Sequence, residues 1–75
     1  MNKKHSQRSK LIKLRTEKGL TQMQMAKLLG VSRATYANYE YGYRNPNLEN
    51  IIEMKKIFNV SDDKIFLPDK DTISV

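Results

Sequence analysis

Residues 21–42 read TQMQMAKLLGVSRATYANYEYG, and this stretch decides the fold. Thr21 with Gln24 three positions on makes a capping box, hydroxyl to backbone N–H and amide back to the cap, which predicts a helix opening at Thr21. That helix runs to about Leu29, with Met25, Ala26 and Leu29 on one face. Gly30-Val31-Ser32 is then a three-residue turn. Gly30 accepts positive φ, Val31 can plug a core, and Ser32 is a good N-cap. A third helix follows over about 33–41, and Gly42 ends it. Two short helices joined by a Gly-containing turn form a helix-turn-helix candidate. The turn alone is weak evidence, because any small helical bundle can contain one.

The third helix strengthens it. At roughly 100° per residue, Ser32, Thr35, Tyr36 and Tyr39 share one side. Arg33, Ala34, Ala37, Asn38 and Tyr41 share the other. The first set can fill a core with the tyrosine hydroxyls near its edge. The second has no large aliphatic residue and no acid. A major groove needs small residues for close approach and forked polar groups to read base edges. Arg can bind guanine O6/N7, Asn can bind adenine N6/N7, and an Ala methyl can meet the thymine methyl. Arg33 stands in the first turn, where recognition helices reach bases. The bland alternative is a solvated helix face.

Working outward, Leu11 and Leu14 mark a first helix of about residues 7–18, capped near Ser6 and stopped by Gly19. Arg44-Asn45-Pro46 is a loop. Asn47 caps a fourth helix over about 48–58, with Leu48, Ile51, Ile52 and Phe58 inward and Asn59 closing it in the left-handed conformation. Ser61 caps a last short helix, with Asp62 and Asp63 at the positive end of its dipole and Pro68 as its stop. There, Ile65 and Phe66 point back to the core. The expectation is one compact all-α domain of five short helices, without strands or repeats.

Charge and composition exclude several classes. The 75 residues carry a net charge of +6. Residues 1–44 hold ten basic and two acidic side chains, and residues 45–75 hold four and six, so the two parts carry +8 and −2. This asymmetry suggests a polyanionic partner, nucleic acid or an anionic membrane. There is no cysteine, hence no disulfide framework and no thiolate metal site. The single histidine, His5, lies in a polar N-terminal stretch and reads as solvated. No metal and no cofactor are expected. No apolar run approaches the roughly 18 residues of a membrane span. The start has no apolar h-region, so no signal peptide is read there. Those features suggest a soluble cytoplasmic protein. A domain this small buries about 60% of its unfolded surface. That leaves little room for a substrate cavity, so no enzyme is expected. A membrane binder is disfavoured because the basic residues share no helix with a broad apolar face. RNA is disfavoured for want of aromatic platforms apart from tyrosines.

Leu20-Thr21-Gln22, Ala26, Leu29-Gly30-Val31-Ser32, Tyr39-Glu40-Tyr41-Gly42 and Arg44-Asn45-Pro46 resemble the phage-repressor and Cro-type helix-turn-helix family, also called the XRE family. Phe58-Asn59-Val60-Ser61-Asp62 is similar to its fourth-to-fifth helix corner. The resemblance covers about residues 10–67 and implies a five-helix lambda-repressor-like DNA-binding domain. It also implies roles. Gln22 corresponds to a phosphate ligand at a helix N-terminus, in keeping with the anion affinity of such termini. Ser32, Arg33, Ala34 and Asn38 correspond to positions facing phosphates and base edges. Thr35 corresponds to a position that touches phosphate or packs. Arg44 and Asn45 correspond to backbone-contact positions. Arg15 and Glu40 match a partly buried ion pair tying the first helix to the end of the third; the alternative is a surface pair worth well under about 1 kcal/mol.

Some positions depart from the family pattern. Lys55 falls amid the apolar face of the fourth helix, so either its stem packs and the ammonium snorkels out, or the helix is rotated toward a partner. Ile57 falls on the opposite side, as a lone exposed residue or as part of a dimer patch. Tyr41 replaces a common Asn, either against the sugar-phosphate backbone or as a surface aromatic. Residues 1–6 read as a basic arm, 7–67 as the DNA-binding domain, and 68–75 as a tail. The polar stretch from Asn2 to Arg8 either reaches over DNA or is disordered. Thr72 to Val75 either adds a strand in a dimer or stays loose.

The expected function is a sequence-specific double-stranded DNA-binding regulator, most simply a repressor. It would act as a homodimer, weak or formed on DNA, over an inverted repeat. The alternative is an antitoxin or controller protein whose main role is binding a protein partner, such as a toxin or an antirepressor.

Overall fold

A computed structural model describes residues 7–69. Four α-helices follow one another: α1 (Ser9–Glu17), α2 (Gln22–Leu29), α3 (Arg33–Tyr41) and α4 (Leu48–Phe58), then a 3-10 turn at Lys64–Phe66. No strand occurs among the described residues. The expected fifth helix is thus a single 3-10 turn. Leu67 is already extended, at φ −78° and ψ 144°. A residue before proline avoids the helical region, so Pro68 truncates this element almost as it begins. Its leading amide, from Lys64, goes to Asp62 Oδ1 at 3.0 Å, and Ser61 makes no cap bond.

The other caps obey local chemistry. Thr21 Oγ1 accepts from the Gln24 N–H at 3.0 Å, and Gln24 Oε1 accepts from the Thr21 N–H at 2.8 Å. Ser32 Oγ accepts from the Thr35 N–H at 3.0 Å, and Asn47 Oδ1 from the Asn50 N–H at 2.8 Å. Gly30 and Asn59 close α2 and α4 with φ of 72° and 56°. This left-handed conformation returns the chain sharply and favours Gly or Asn.

α1 opens at Ser9, two residues later than expected, and Arg8 at its N-cap makes no side-chain cap bond. Asp69 supplies the cap from the far end of the chain. Its Oδ1 accepts from the Ser9 N–H at 3.1 Å, its Oδ2 accepts from Ser9 Oγ at 2.5 Å, and its N–H donates to Gln7 O at 2.8 Å. A carboxylate there also complements the positive end of the helix dipole. This contact falls within the stretch read as tail. The Ser6 cap, His5, the arm over residues 1–6 and the Thr72–Val75 segment lie outside the described residues.

The core unites Leu11, Met25, Ala26, Tyr36, Tyr39, Met54, Phe58 and Ile65, with Leu20, Leu29, Val31 and Phe66 among the residues packed against it. Tyr36 and Tyr39 lie deeper than expected, edge to face at 6.1 Å, and their hydroxyls meet Glu40 and Asn50 inside the fold. α4 is rotated from its expected setting. Leu48 and Ile52 are 71% and 46% exposed, whereas Met54 and Phe58 are buried and Ile57 packs on the core. The reason is a polar residue: buried Asn50 donates from Nδ2 to the Tyr39 hydroxyl at 3.3 Å. With Asn50 turned inward, Met54 and Ile57/Phe58 follow at helical spacing. Lys55 is half-buried, and its Nζ pairs with the Asp63 carboxylate.

This setting of α4 has a measurable consequence. Met54→Ala should cost about 2–5 kcal/mol. Leu48→Ala should stay within about 0.5 kcal/mol. Urea unfolding of the two variants checks both, and the order reverses if Leu48 is the inward residue.

Candidate nucleic-acid interface

Glu40 is 1% exposed near the end of α3. A carboxylate so placed is tolerated only when it is paired and hydrogen-bonded. Three side chains do this. Arg15 donates from Nε to Oε2 at 2.5 Å and from Nη2 to Oε1 at 3.4 Å. The Tyr36 hydroxyl donates to Oε2 at 2.6 Å, and Gln22 Nε2 donates to Oε1 at 2.9 Å. Arg15 also donates from Nη1 to Leu20 O at 2.8 Å. One carboxylate thereby joins α1, α2 and α3. The Glu40 hydrogen bond raises the Arg15 pKa, partly offset by burial. Burial first, and the Glu40 carboxylate second, push the Tyr36 phenol far above the ordinary tyrosine range.

Gln22 carries this network to the surface. Its Oε1 accepts from Arg33 Nη1 at 3.1 Å. Gln22 and Arg33, assigned separate roles from the sequence, are therefore linked side by side. Their separation of 11 positions hides that link from any local reading. Arg33 and Ala34 are exposed and Asn38 is half-buried. Ala37 departs from the expected face: it is 6% exposed. On a helix it sits roughly 60° from Glu40, so turning Glu40 inward carries Ala37 with it.

Ser32 Oγ, besides capping α3, donates to Thr35 Oγ1 at 3.0 Å. Its hydrogen is thus engaged, while the Thr35 hydroxyl hydrogen stays available to an acceptor. Beyond α3, the backbone N–H groups of Gly42, Tyr43 and Arg44 converge on Asn38 O at 3.1, 3.0 and 3.3 Å. They hold the loop carrying Arg44 and Asn45, both exposed. Tyr41 and Tyr43 are exposed beside it and meet edge to face at 6.4 Å. Tyr43 was not singled out from sequence, where it carries no signal beyond its aromatic ring. Arg8, read with the basic arm, is buried instead, with its guanidinium turned into the fold.

Among the described residues no group of His, Cys, Asp and Glu is placed to hold a metal ion. No described helix is long and apolar enough to cross a membrane.

Residues 11–65 match the family model described as helix-turn-helix. The chain is 41% identical over 54 residues to the SPbeta prophage-derived uncharacterized HTH-type transcriptional regulator YonR of Bacillus subtilis, covering 72% of this chain and 50% of that protein. It is 38% identical over 52 residues to the cryptic phage CTXphi transcriptional repressor RstR of Vibrio cholerae, covering 69% and 47%. The chain thus spans about half the length of these relatives. Its fold is similar to that of the restriction-modification controller protein C.AhdI from Aeromonas hydrophila, with a TM-score of 0.67 and 33% identity over 77% of this chain and 88% of that one.

Tyr36 yields a pH prediction. In the unfolded chain its phenol ionises near pH 10. In the folded chain the raised pKa keeps it protonated well beyond that. Its contribution is therefore complete below about pH 10 and falls as pH rises further, by up to about 1.4 kcal/mol per unit. Tyr36→Phe, which removes a hydrogen bond to a buried carboxylate, should cost about 1.5–3 kcal/mol at neutral pH and lose stability less steeply in alkali. Denaturation midpoints from neutral to alkaline pH check both effects.

Proposed function

The chain belongs to the helix-turn-helix family, and we propose that it is a sequence-specific double-stranded DNA-binding transcriptional regulator, most simply a repressor. The observation that carries this reading is the setting of Arg33. It is exposed in the first turn of α3 and linked through Gln22 to the buried Glu40. A forked cation held in place is what bidentate reading of guanine requires. Ala34 permits close approach beside it, and Asn38 offers an amide to adenine. Ala37 leaves the reading set because it is buried.

Phosphate contact in this reading falls to Gln22, Thr35, Tyr41, Arg44 and Asn45, with Ser32 acting through Thr35. These groups fix register and orientation without reading sequence. The net charge of +8 over residues 1–44 supplies attraction to the duplex. One short helix reads few bases, so useful specificity calls for two copies on half-sites about one helical turn apart. The exposed apolar residues of α4, Leu48 and Ile52, stand four positions apart on one face and suit a weak dimer contact. Ile57, considered for that role from sequence, is packed on the core. A second reading is a controller protein, a role favoured by the likeness to the restriction-modification controller protein C.AhdI; a main role in binding a protein partner is the further alternative.

Selection from random duplex DNA should enrich one motif with two-fold symmetry. Arg33→Ala and Asn38→Ala should each relax preference at one position, by about 1–3 kcal/mol of discrimination. Arg44→Ala should weaken all duplexes alike and flatten the salt dependence by about one unit. A folded protein that enriches no motif at modest salt overturns the regulator reading and favours the protein-partner one.

A further inference from the structure

Arg8 is 7% exposed and pairs with no carboxylate among the described residues. Burial lowers its pKa. A buried cation without a counter-ion is costly, so its hydrogen bonds must compensate. Its Nε donates to Phe66 O at 2.8 Å. Its Nη1 donates to Tyr39 O at 2.6 Å and Arg44 O at 3.0 Å. Its Nη2 donates to Asn45 Oδ1 at 2.5 Å. Its own backbone N–H donates to Glu40 O at 2.8 Å.

Two of these acceptors are among the last carbonyls of α3, which lack helical partners and carry the negative end of the helix dipole. Two others belong to Arg44 and Asn45, the loop that follows. The planar fork of Arg8 thus spans from the end of α3 to this loop. Its effect on Asn45 is specific. An amide whose oxygen is held inward has only its NH₂ group left to present. A phosphate accepts hydrogen bonds and donates none, so this orientation is the one that suits a phosphate.

We propose that Arg8 is a positioning residue for the duplex backbone: it turns the Asn45 amide into a donor-only group and fixes the Arg44–Asn45 loop against phosphate. This rests on the DNA-binding reading above. At 7% exposure Arg8 acts through the loop and does not itself meet the phosphate.

The test uses Arg8→Met, Arg8→Lys and Asn45→Asp in the full chain. Circular dichroism establishes that each is folded at the assay temperature. Affinity for a mixed-sequence duplex is then measured against salt. Both Arg8 variants should lower affinity for all sequences and flatten the salt dependence by about one unit. Lysine should not rescue, since a point charge lacks the fork that reaches four acceptors. Asn45→Asp should raise the thermal midpoint by pairing with Arg8, yet weaken duplex binding about tenfold by setting a carboxylate against phosphate. In the Arg8→Met background that gain in midpoint should vanish. A wild-type salt dependence in either Arg8 variant overturns the proposal while leaving the DNA-binding reading intact. So does a midpoint that falls in Asn45→Asp. Wild-type protein that binds no duplex at any salt overturns the DNA-binding reading, and this proposal with it.

Discussion

A single buried carboxylate constrains this fold. Glu40 is placed by α3 where water cannot solvate it, so donors must come to it. They come from α1 through Arg15, from α2 through Gln22, and from α3 through Tyr36. Apolar packing alone would hold three short helices together across a range of crossing angles. A charge with fixed hydrogen-bond directions narrows that range, because losing Arg15 leaves a buried ion without its counter-charge and losing Tyr36 or Gln22 leaves a carboxylate lone pair unsatisfied. The same demand explains the placement of Ala37, which faces inward because its neighbours on the helix must.

The network also joins the interior to the exposed edge. Gln22 has one end on Glu40 and the other on Arg33. An arginine side chain carries considerable conformational freedom, and ordering it only at the moment of contact would cost binding energy. Anchoring it beforehand reduces that cost. At the opposite end of α3, the convergence of three N–H groups on Asn38 O gives the following loop a comparable restraint. Both ends of the exposed face are therefore set by hydrogen bonds that lead back into the fold.

What the sequence revealed follows the range of the interaction involved. Caps at Thr21, Ser32 and Asn47, and the closing Gly30 and Asn59, depend on neighbours within a few positions and are legible directly. The setting of α4 is not. Leu48, Ile51, Ile52, Met54 and Ile57 offer more than one apolar stripe, and the choice among them is made by Asn50 meeting Tyr39. A pattern that scores only hydrophobicity discounts that contact. The fifth element looked like a helix because its cap and apolar residues suited one, but Pro68 left it too few residues. Arg8 was illegible for a different reason. Its partners lie 31 to 58 positions away, so nothing near it in the chain marks it as interior. Within the candidate interface the exposed residues of α3 were readable from periodicity. The link from Gln22 on α2 to Arg33 on α3 was not, whereas the Arg15–Glu40 pair was implied by the family resemblance.

The clasp between Asp69 and the start of α1 has a topological meaning. Gln7 and Ser9 meet Asp69 directly, so the described chain enters and leaves the fold at one corner. The two ends of the described chain are thereby tied to each other, so that residues 7–69 form nearly a closed ring. A pull applied across that corner would first load the Ser9–Asp69 contact, and only then the core.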